Sequence, residues 1–222
     1  MSHGGVAVFD IDGVLADMSA HAGVLRAPGP RRKAWQEFFS HCGDAAVLTT
    51  GWHLANAAVE AGFTVVYSTT RPYFAVPATR HWLSEHQFPA GAALFYRDTS
   101  APAAAVIKQA HCRIVNERVR RGYLAAFIDD DPEAVHHLLD RGYAAEHHLR
   151  LRGLNTADLR TALIQGPDGF TERRRPHAGR LAHQRAHGGK TADTAGSQLT
   201  PRRPHATPTT APDICERVPA GA

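Results

Sequence analysis

Asp10 and Asp12 stand two residues apart at the end of the apolar run Val6-Ala7-Val8-Phe9, and Gly13 follows them. Side chains alternate along an extended chain, so residues two apart share a side. Asp10 and Asp12 are therefore expected to converge on one centre, with Ile11 packed away from it. Two ionised carboxylates this close repel, and the pair calls for a cation, a shared proton or a division of roles. Mg²⁺ answers that need, because it prefers oxygen ligands and takes only one or two carboxylates from a protein. Its other positions stay open for water and substrate phosphate. An isolated Asp-x-Asp-Gly also describes an ordinary surface turn, and three further signals downstream set this one apart.

The first is Val65-Val66-Tyr67-Ser68-Thr69-Thr70-Arg71-Pro72, an apolar run ending in hydroxyls and an arginine. A buried strand here delivers Thr69 to the sheet edge that carries Asp10, where a hydroxyl and its backbone N–H can donate to phosphate oxygens. Arg71 adds a planar fork suited to phosphate. The second is Lys108, near the start of a helix after the loop from Thr99 to Pro102. The third is Leu124-Ala125-Ala126-Phe127-Ile128, another buried-strand pattern, which runs into Asp129-Asp130-Asp131-Pro132. Acids ahead of a Pro-led helix can cap its dipole. Set beside Asp10 and Asp12, Asp129 and Asp130 instead complete a metal site.

In this order the residues resemble the haloacid dehalogenase (HAD) superfamily of phosphohydrolases, with its Asp-x-Asp, strand-end Thr or Ser, Lys and strand-end acidic pair. The resemblance spans about the first 150 residues. Within the superfamily, FDIDGVLADM, VVYSTTRP, FYRDTSAPAAAVIKQ and FIDDDPEAVHHLLDRGY are similar to the 3′-phosphatase domain of polynucleotide kinase-phosphatases. The resemblance implies an Mg²⁺-dependent phosphomonoesterase in which Asp10 attacks phosphorus and Asp12 serves as general acid and then base. It implies a metal held by Asp10, the backbone carbonyl of Asp12, Asp129 and Asp130. Thr69 and Lys108 then hold the phosphoryl oxygens, with Arg71 and Arg97 as further phosphate contacts. Thr70 replaces a frequent Gly and Asp131 a frequent Arg, departures that bear on substrate choice rather than on chemistry. A kinase half is missing: Gly189-Lys190-Thr191 has Gln184 where a phosphate-binding loop needs its first Gly.

Strand and helix patterns alternate, predicting an α/β fold: a HAD-like, Rossmann-type parallel sheet with helices on both faces. Helices are expected over 31–42, 48–61, 77–86, 103–120, 132–141 and from Asn155 or Thr156 to Leu163, and a further short strand over 92–96. Trp35, Phe38 and Phe39 at i, i+3 and i+4 read as packing residues rather than as base-stacking ones. The roughly fifty residues between Asp12 and the second strand have room for a small cap or none, which leaves the site open.

Composition changes near residue 165. From Gly166 to Ala222 the chain has nine Arg or Lys against five Asp or Glu and no sustained apolar periodicity. The expectation is a phosphatase domain over 1–165 and a basic disordered tail over 166–222. Its Arg173-Arg174-Arg175 and Arg202-Arg203 could add nonspecific affinity for phosphate backbones, but with Phe170 its one Phe, Tyr or Trp to stack on bases, the tail reads rather as solvated. Three well-separated cysteines, Cys42, Cys112 and Cys215, suit a reduced cytoplasm better than a disulfide scaffold. The first strand starts too early for a signal peptide, and no apolar run reaches membrane-spanning length. Three functions stay open: a phosphomonoesterase of 3′-phosphorylated nucleic-acid ends or nucleotides, a phosphatase of a small sugar or metabolite phosphate, and a non-catalytic module of the same fold. The oligomeric state is not fixed by the sequence.

Overall fold

The strand that carries Asp10 lies at the centre of the sheet. A computed structural model describes residues 5–97, 103–118, 123–165 and 215–217. In chain order the elements are β1 (Val6–Asp10), β2 (Ala16–Asp17), a 3-10 helix (Ser19–Arg26), α1 (Arg31–Ser40), β3 (Ala46–Val47) and α2 (Thr49–Glu60). Then come β4 (Thr64–Pro72), a 3-10 turn (Tyr73–Ala75), α3 (Val76–Glu85), β5 (Ala93–Arg97), α4 (Ala104–Arg118) and β6 (Leu124–Asp129). The chain continues through α5 (Pro132–Asp140), β7 (Ala145–His147), α6 (His148–Leu151), α7 (Thr156–Gln165) and β8 (Cys215–Arg217).

The sheet order is β7-β6-β1-β4-β5-β8, parallel except for β8, which runs antiparallel to β5. This is the α/β architecture that the alternating patterns predict. The chain moves outward from β1 through β4 and β5, then crosses back to β6 on the other side of β1. Ligands of open parallel sheets bind in the crevice outside such a switch in direction. Asp10 and Asp129 end the two strands that flank it.

Both faces of β1 are covered, which explains its uninterrupted apolar run. Ala7 and Phe9 face a core with Leu54 and Ala55 of α2, Trp82 of α3 and Leu159 of α7. Val6 and Val8 face a second core with Cys112 and Val115 of α4 and Val135 and Leu138 of α5. Full burial of a side chain such as Phe9 contributes roughly 1.5–3 kcal/mol.

The segment between β1 and α2 forms a small cap. β2 and β3 pair antiparallel and close it at its base, while the 3-10 helix and α1 pack on each other above. Gly23 lies within this 3-10 helix, and β2, β3, β7 and α6 are too short for periodicity to reveal. The expected tail from 166 lies outside the described residues, except for β8. Among the described residues, no helix is long and apolar enough to cross a membrane.

Candidate active site

Asp10 ends β1 with its side chain 7% exposed, and Lys108 reaches it from α4. The Lys108 Nζ donates to Asp10 Oδ2 at 2.9 Å and to Asp129 Oδ1 at 2.9 Å, and lies 2.7 Å from Asp129 Oδ2. Asp130 joins the group: oxygens of Asp10, Asp129 and Asp130 all lie within 4.8 Å of one another. Burial disfavours the Lys108 ammonium, yet the Asp10 and Asp129 carboxylates outweigh that and raise its pKa above the ordinary value. Burial also raises Asp10 well above the usual carboxylate range; Lys108 opposes the shift and Asp129 adds to it. Asp130 is raised by the same causes, burial first and Asp129 second. Three carboxylates therefore surround one ammonium, and the excess negative charge suits a divalent cation. An all-oxygen donor set fits Mg²⁺.

The three consecutive acids after β6 divide the work. Asp131 caps α5 by accepting from the Glu133 N–H at 2.9 Å, with Pro132 in the first helical turn. Its own N–H donates to Asp129 Oδ1 at 3.0 Å and helps to orient that carboxylate. Asp130 is steadied from behind, where its carbonyl accepts from His147 Nε2 at 2.8 Å. Its carboxylate lies against Gly13, whose φ is +82° and where an added Cβ would overlap Asp130.

Asp12 is not part of this cluster. β1 ends at Asp10 and the chain bends at Ile11, so the alternation expected to bring Asp10 and Asp12 together stops one residue early. The Asp12 carboxylate instead meets Arg71. Arg71 Nε lies 3.2 and 3.1 Å from its two oxygens, and an Nη donates to Oδ1 at 2.7 Å. The other Nη donates to Thr79 Oγ1 at 2.9 Å. Arg71 is fully buried, whereas the Asp12 side chain is 29% exposed. The guanidinium expected to hold substrate phosphate thus holds Asp12, because a buried cation needs its counter-charge close by.

Thr69 is buried next to this pair, and its hydroxyl accepts the Arg71 backbone N–H at 3.0 Å. Its own O–H proton remains available to donate. Arg97 lies further along the edge, with Nε donating to the Thr70 carbonyl at 3.1 Å. Partial burial lowers Arg97 from its ordinary value.

Two features escaped the sequence reading. The Ser68 hydroxyl and His111 Nδ1 are 2.8 Å apart and fully buried beneath the acidic centre. Burial first, with the Lys108 charge adding, pushes His111 down to about 3 against a hydrogen bond to the Tyr96 backbone. A neutral histidine therefore supports β4 against α4. A sequence signal was available only in retrospect, since Ser68 pairs in register with Asp10. The second feature is a cavity of about 700 Å³ between the cap and the strand ends, lined by Arg32, Trp35, Phe39, Thr70, Phe74 and Arg97 among others. Phe38 and Phe39 are buried as expected of packing residues, but Trp35 is 40% exposed on the cavity wall.

Residues 7–127 match the family model described as PITM 1-3, LNS2 domain. No curated protein matches the chain. Among solved structures, a chain of the Pnkp1/Rnl/Hen1 complex is similar at 17% identity and a TM-score of 0.48, covering 66% of this chain and 46% of that one. The present chain thus spans less than half the length of that relative. The haloacid dehalogenase-like hydrolase SP0104 from Streptococcus pneumoniae shows 15% identity and a TM-score of 0.45 over 81% of this chain and 98% of its own. A HAD-superfamily hydrolase from Ehrlichia chaffeensis shows 10% identity and a TM-score of 0.43, covering 74% of this chain and 98% of that one.

Proposed function

The chain belongs to the family described as PITM 1-3, LNS2 domain, and from its acidic centre we propose that it is a phosphomonoesterase working through an aspartyl-phosphate on Asp10. The observation that carries this reading is the buried Asp10–Lys108–Asp129 contact with Asp130 alongside. Asp10, Asp129 and Asp130, with the Asp12 carbonyl, would hold Mg²⁺, which when bound neutralises charge on the phosphoryl oxygens.

Each residue then has a role that its surroundings support. Lys108 opposes the burial that raises Asp10 and so favours the ionised form at the end of β1, as a nucleophile requires. An Asp10 oxygen bonds to phosphorus as the ester P–O bond breaks, and Asp12, which this step requires to be protonated in the substrate complex, passes its proton to the departing alkoxide oxygen. Water then attacks the aspartyl-phosphate, gives a proton to Asp12, and releases phosphate with Asp10 restored. Arg71 acts through Asp12 as a positioning residue, since its fork fixes the rotamer of that carboxylate. Thr69 donates its hydroxyl to a phosphoryl oxygen. Arg97 contributes from the cavity wall rather than from the acidic centre.

The substrate is a 3′-phosphate at a nucleic-acid end or on a nucleotide. Phosphate release from a 3′-phosphorylated oligonucleotide, beside nucleotides and sugar phosphates, tests this with and without chelator. Release that stops with chelator and in Asp10→Asn is the expected result. Near-parental turnover by Asp10→Asn would overturn the mechanism, while activity confined to small phosphates would keep the mechanism and discard the nucleic-acid substrate.

A further inference from the structure

The cavity between the cap and the strand ends has a lining of unusual chemistry. One wall is α1, with Arg32, Trp35, Gln36 and Phe39; the other is the end of β4 and the turn after it, with Thr70, Pro72 and Phe74. Thr70 and Pro72 are the sequence neighbours of Arg71, the residue that holds Asp12, so the cavity borders the stretch of β4 that carries it. Its volume of about 700 Å³ falls within the range usual for small-molecule sites.

Among the described residues, the apolar part of the lining consists of aromatic rings and a proline, without Leu, Ile, Val or Met. Trp35 is backed on one side by Phe39, with centroids 5.5 Å apart and planes 25° apart, and its edge is fixed by Phe38 at 5.6 Å. The indole is thereby held as a rigid plate while 40% of it stays exposed. Phe74 across the cavity is 50% exposed. Arg32 and Arg97 supply positive charge, and no carboxylate lines the cavity among the described residues. Aromatic plates beside guanidinium groups recognise a stacked base with a neighbouring phosphate, whereas an acyl chain is met by aliphatic side chains.

We propose that this cavity is a nucleotide subsite, in which Trp35 and Phe74 stack on the terminal base of a 3′-phosphorylated strand and Arg32 and Arg97 meet its backbone phosphate. The proposal rests on the phosphomonoesterase reading and makes the cap α1 the part of the chain that selects substrate. It also reassigns Trp35 from the packing role that its helical spacing predicts.

The test uses the full chain with Mg²⁺ and two strands of identical sequence, one ending in an ordinary 3′-phosphorylated nucleotide and one in an abasic sugar 3′-phosphate. Base stacking of this kind is worth about fivefold to a hundredfold. The parent should prefer the base-bearing end in kcat/KM by a factor in that range. Trp35→Ala and Phe74→Ala should each remove most of that preference, and Trp35→Phe should retain it, which also serves should the alanine variant fail to fold. Equal kcat/KM for both strands, or a preference that survives both alanine variants, overturns the proposal while leaving the phosphatase reading intact. Should no substrate release phosphate, that reading fails, and fluorescence anisotropy of the labelled strands decides. Base-dependent binding weakened by Trp35→Ala then supports the subsite, and base-independent binding overturns it. Tighter binding to vesicles carrying a phosphomonoester lipid than to either strand also overturns it.

Discussion

Replacing Lys108 with Met removes one charge from the centre and keeps the length of the side chain. In the parent, the ammonium lies 2.9 Å from Asp10 Oδ2 and 2.7 Å from Asp129 Oδ2, with almost no solvent access. At an effective dielectric constant near 20, each contact is worth roughly 6 kcal/mol before desolvation is subtracted. Breaking a buried pair by removing one partner costs about 3–5 kcal/mol in practice. For a domain of this size, that corresponds to a fall in Tm of roughly 6–20 °C. The cost should also depend on pH. Asp10 and Asp130 already have folded pKa values above the ordinary 3.8, so the folded state holds protons that the unfolded chain has shed. Stability is then fully present below that value and falls as pH rises through the window up to the folded pKa. Lys108 supplies the main opposing influence on Asp10, so its loss widens the window upward. The Lys108 pKa is itself raised, so its own contribution is constant until strongly alkaline pH. Thermal denaturation of the Lys108→Met variant should therefore show a larger deficit near pH 8 than near pH 5, and added Mg²⁺ should recover more Tm in the variant than in the parent. Turnover should fall by roughly two to three decades. A variant that melts within about 2 °C of the parent near pH 8, with the same pH slope, would refute the view that this ammonium compensates buried carboxylates.

Other perturbations separate the parts of the site. Gly13→Ala meets both the positive φ and the Asp130 carboxylate; it should cost about 1–3 kcal/mol in denaturant melts and blunt the rise in Tm with Mg²⁺. Asp131→Ala should cost only the helix cap, about 1 kcal/mol, and leave the Mg²⁺ response unchanged, whereas Asp129→Ala should abolish that response. Arg71→Met leaves Asp12 without its fork and Thr79 without its donor. It should lower Tm and kcat together, and Arg71→Lys should restore Tm better than kcat, because an ammonium keeps the charge but not the bidentate geometry.

Much of the sheet and part of the site were legible in the sequence, for a physical reason that particular residues make clear. β1 and β6 are buried on both faces, so their apolar runs are continuous and their ends are marked by the first polar residue. Asp10 and Asp129 lie at such boundaries, and the structure brings Lys108 of α4 to both of them. Asp12 lies one residue past a bend, where a period of two no longer fixes direction, and its partner Arg71 is 59 residues away in sequence. No local pattern could show that Arg71 turns inward. Trp35 was ambiguous for a different reason: i, i+3, i+4 spacing puts three aromatics on one helix face but does not say where the core ends across that face. Phe38 and Phe39 fall inside the boundary and Trp35 falls on it.

The separation of Asp10 from Asp12 has a chemical consequence. Asp10 sits among acids and an ammonium with almost no exposure, an environment that suits a bound cation and shuts out exchange of protons with solvent. Asp12 is held from behind by a guanidinium while 29% of its side chain faces solvent, so water and a leaving group can both reach it. A residue that must lose a proton in one step and regain it in the next needs such access, and a nucleophile gains from its absence. Under the proposed mechanism, two neighbouring carboxylates of the same type would take different tasks from their surroundings, Lys108 and Asp129 on one side and Arg71 on the other. Because the chain bends at Ile11 between them, a substitution that straightened this bend would place both acids in the same field and remove the distinction on which a two-step reaction depends.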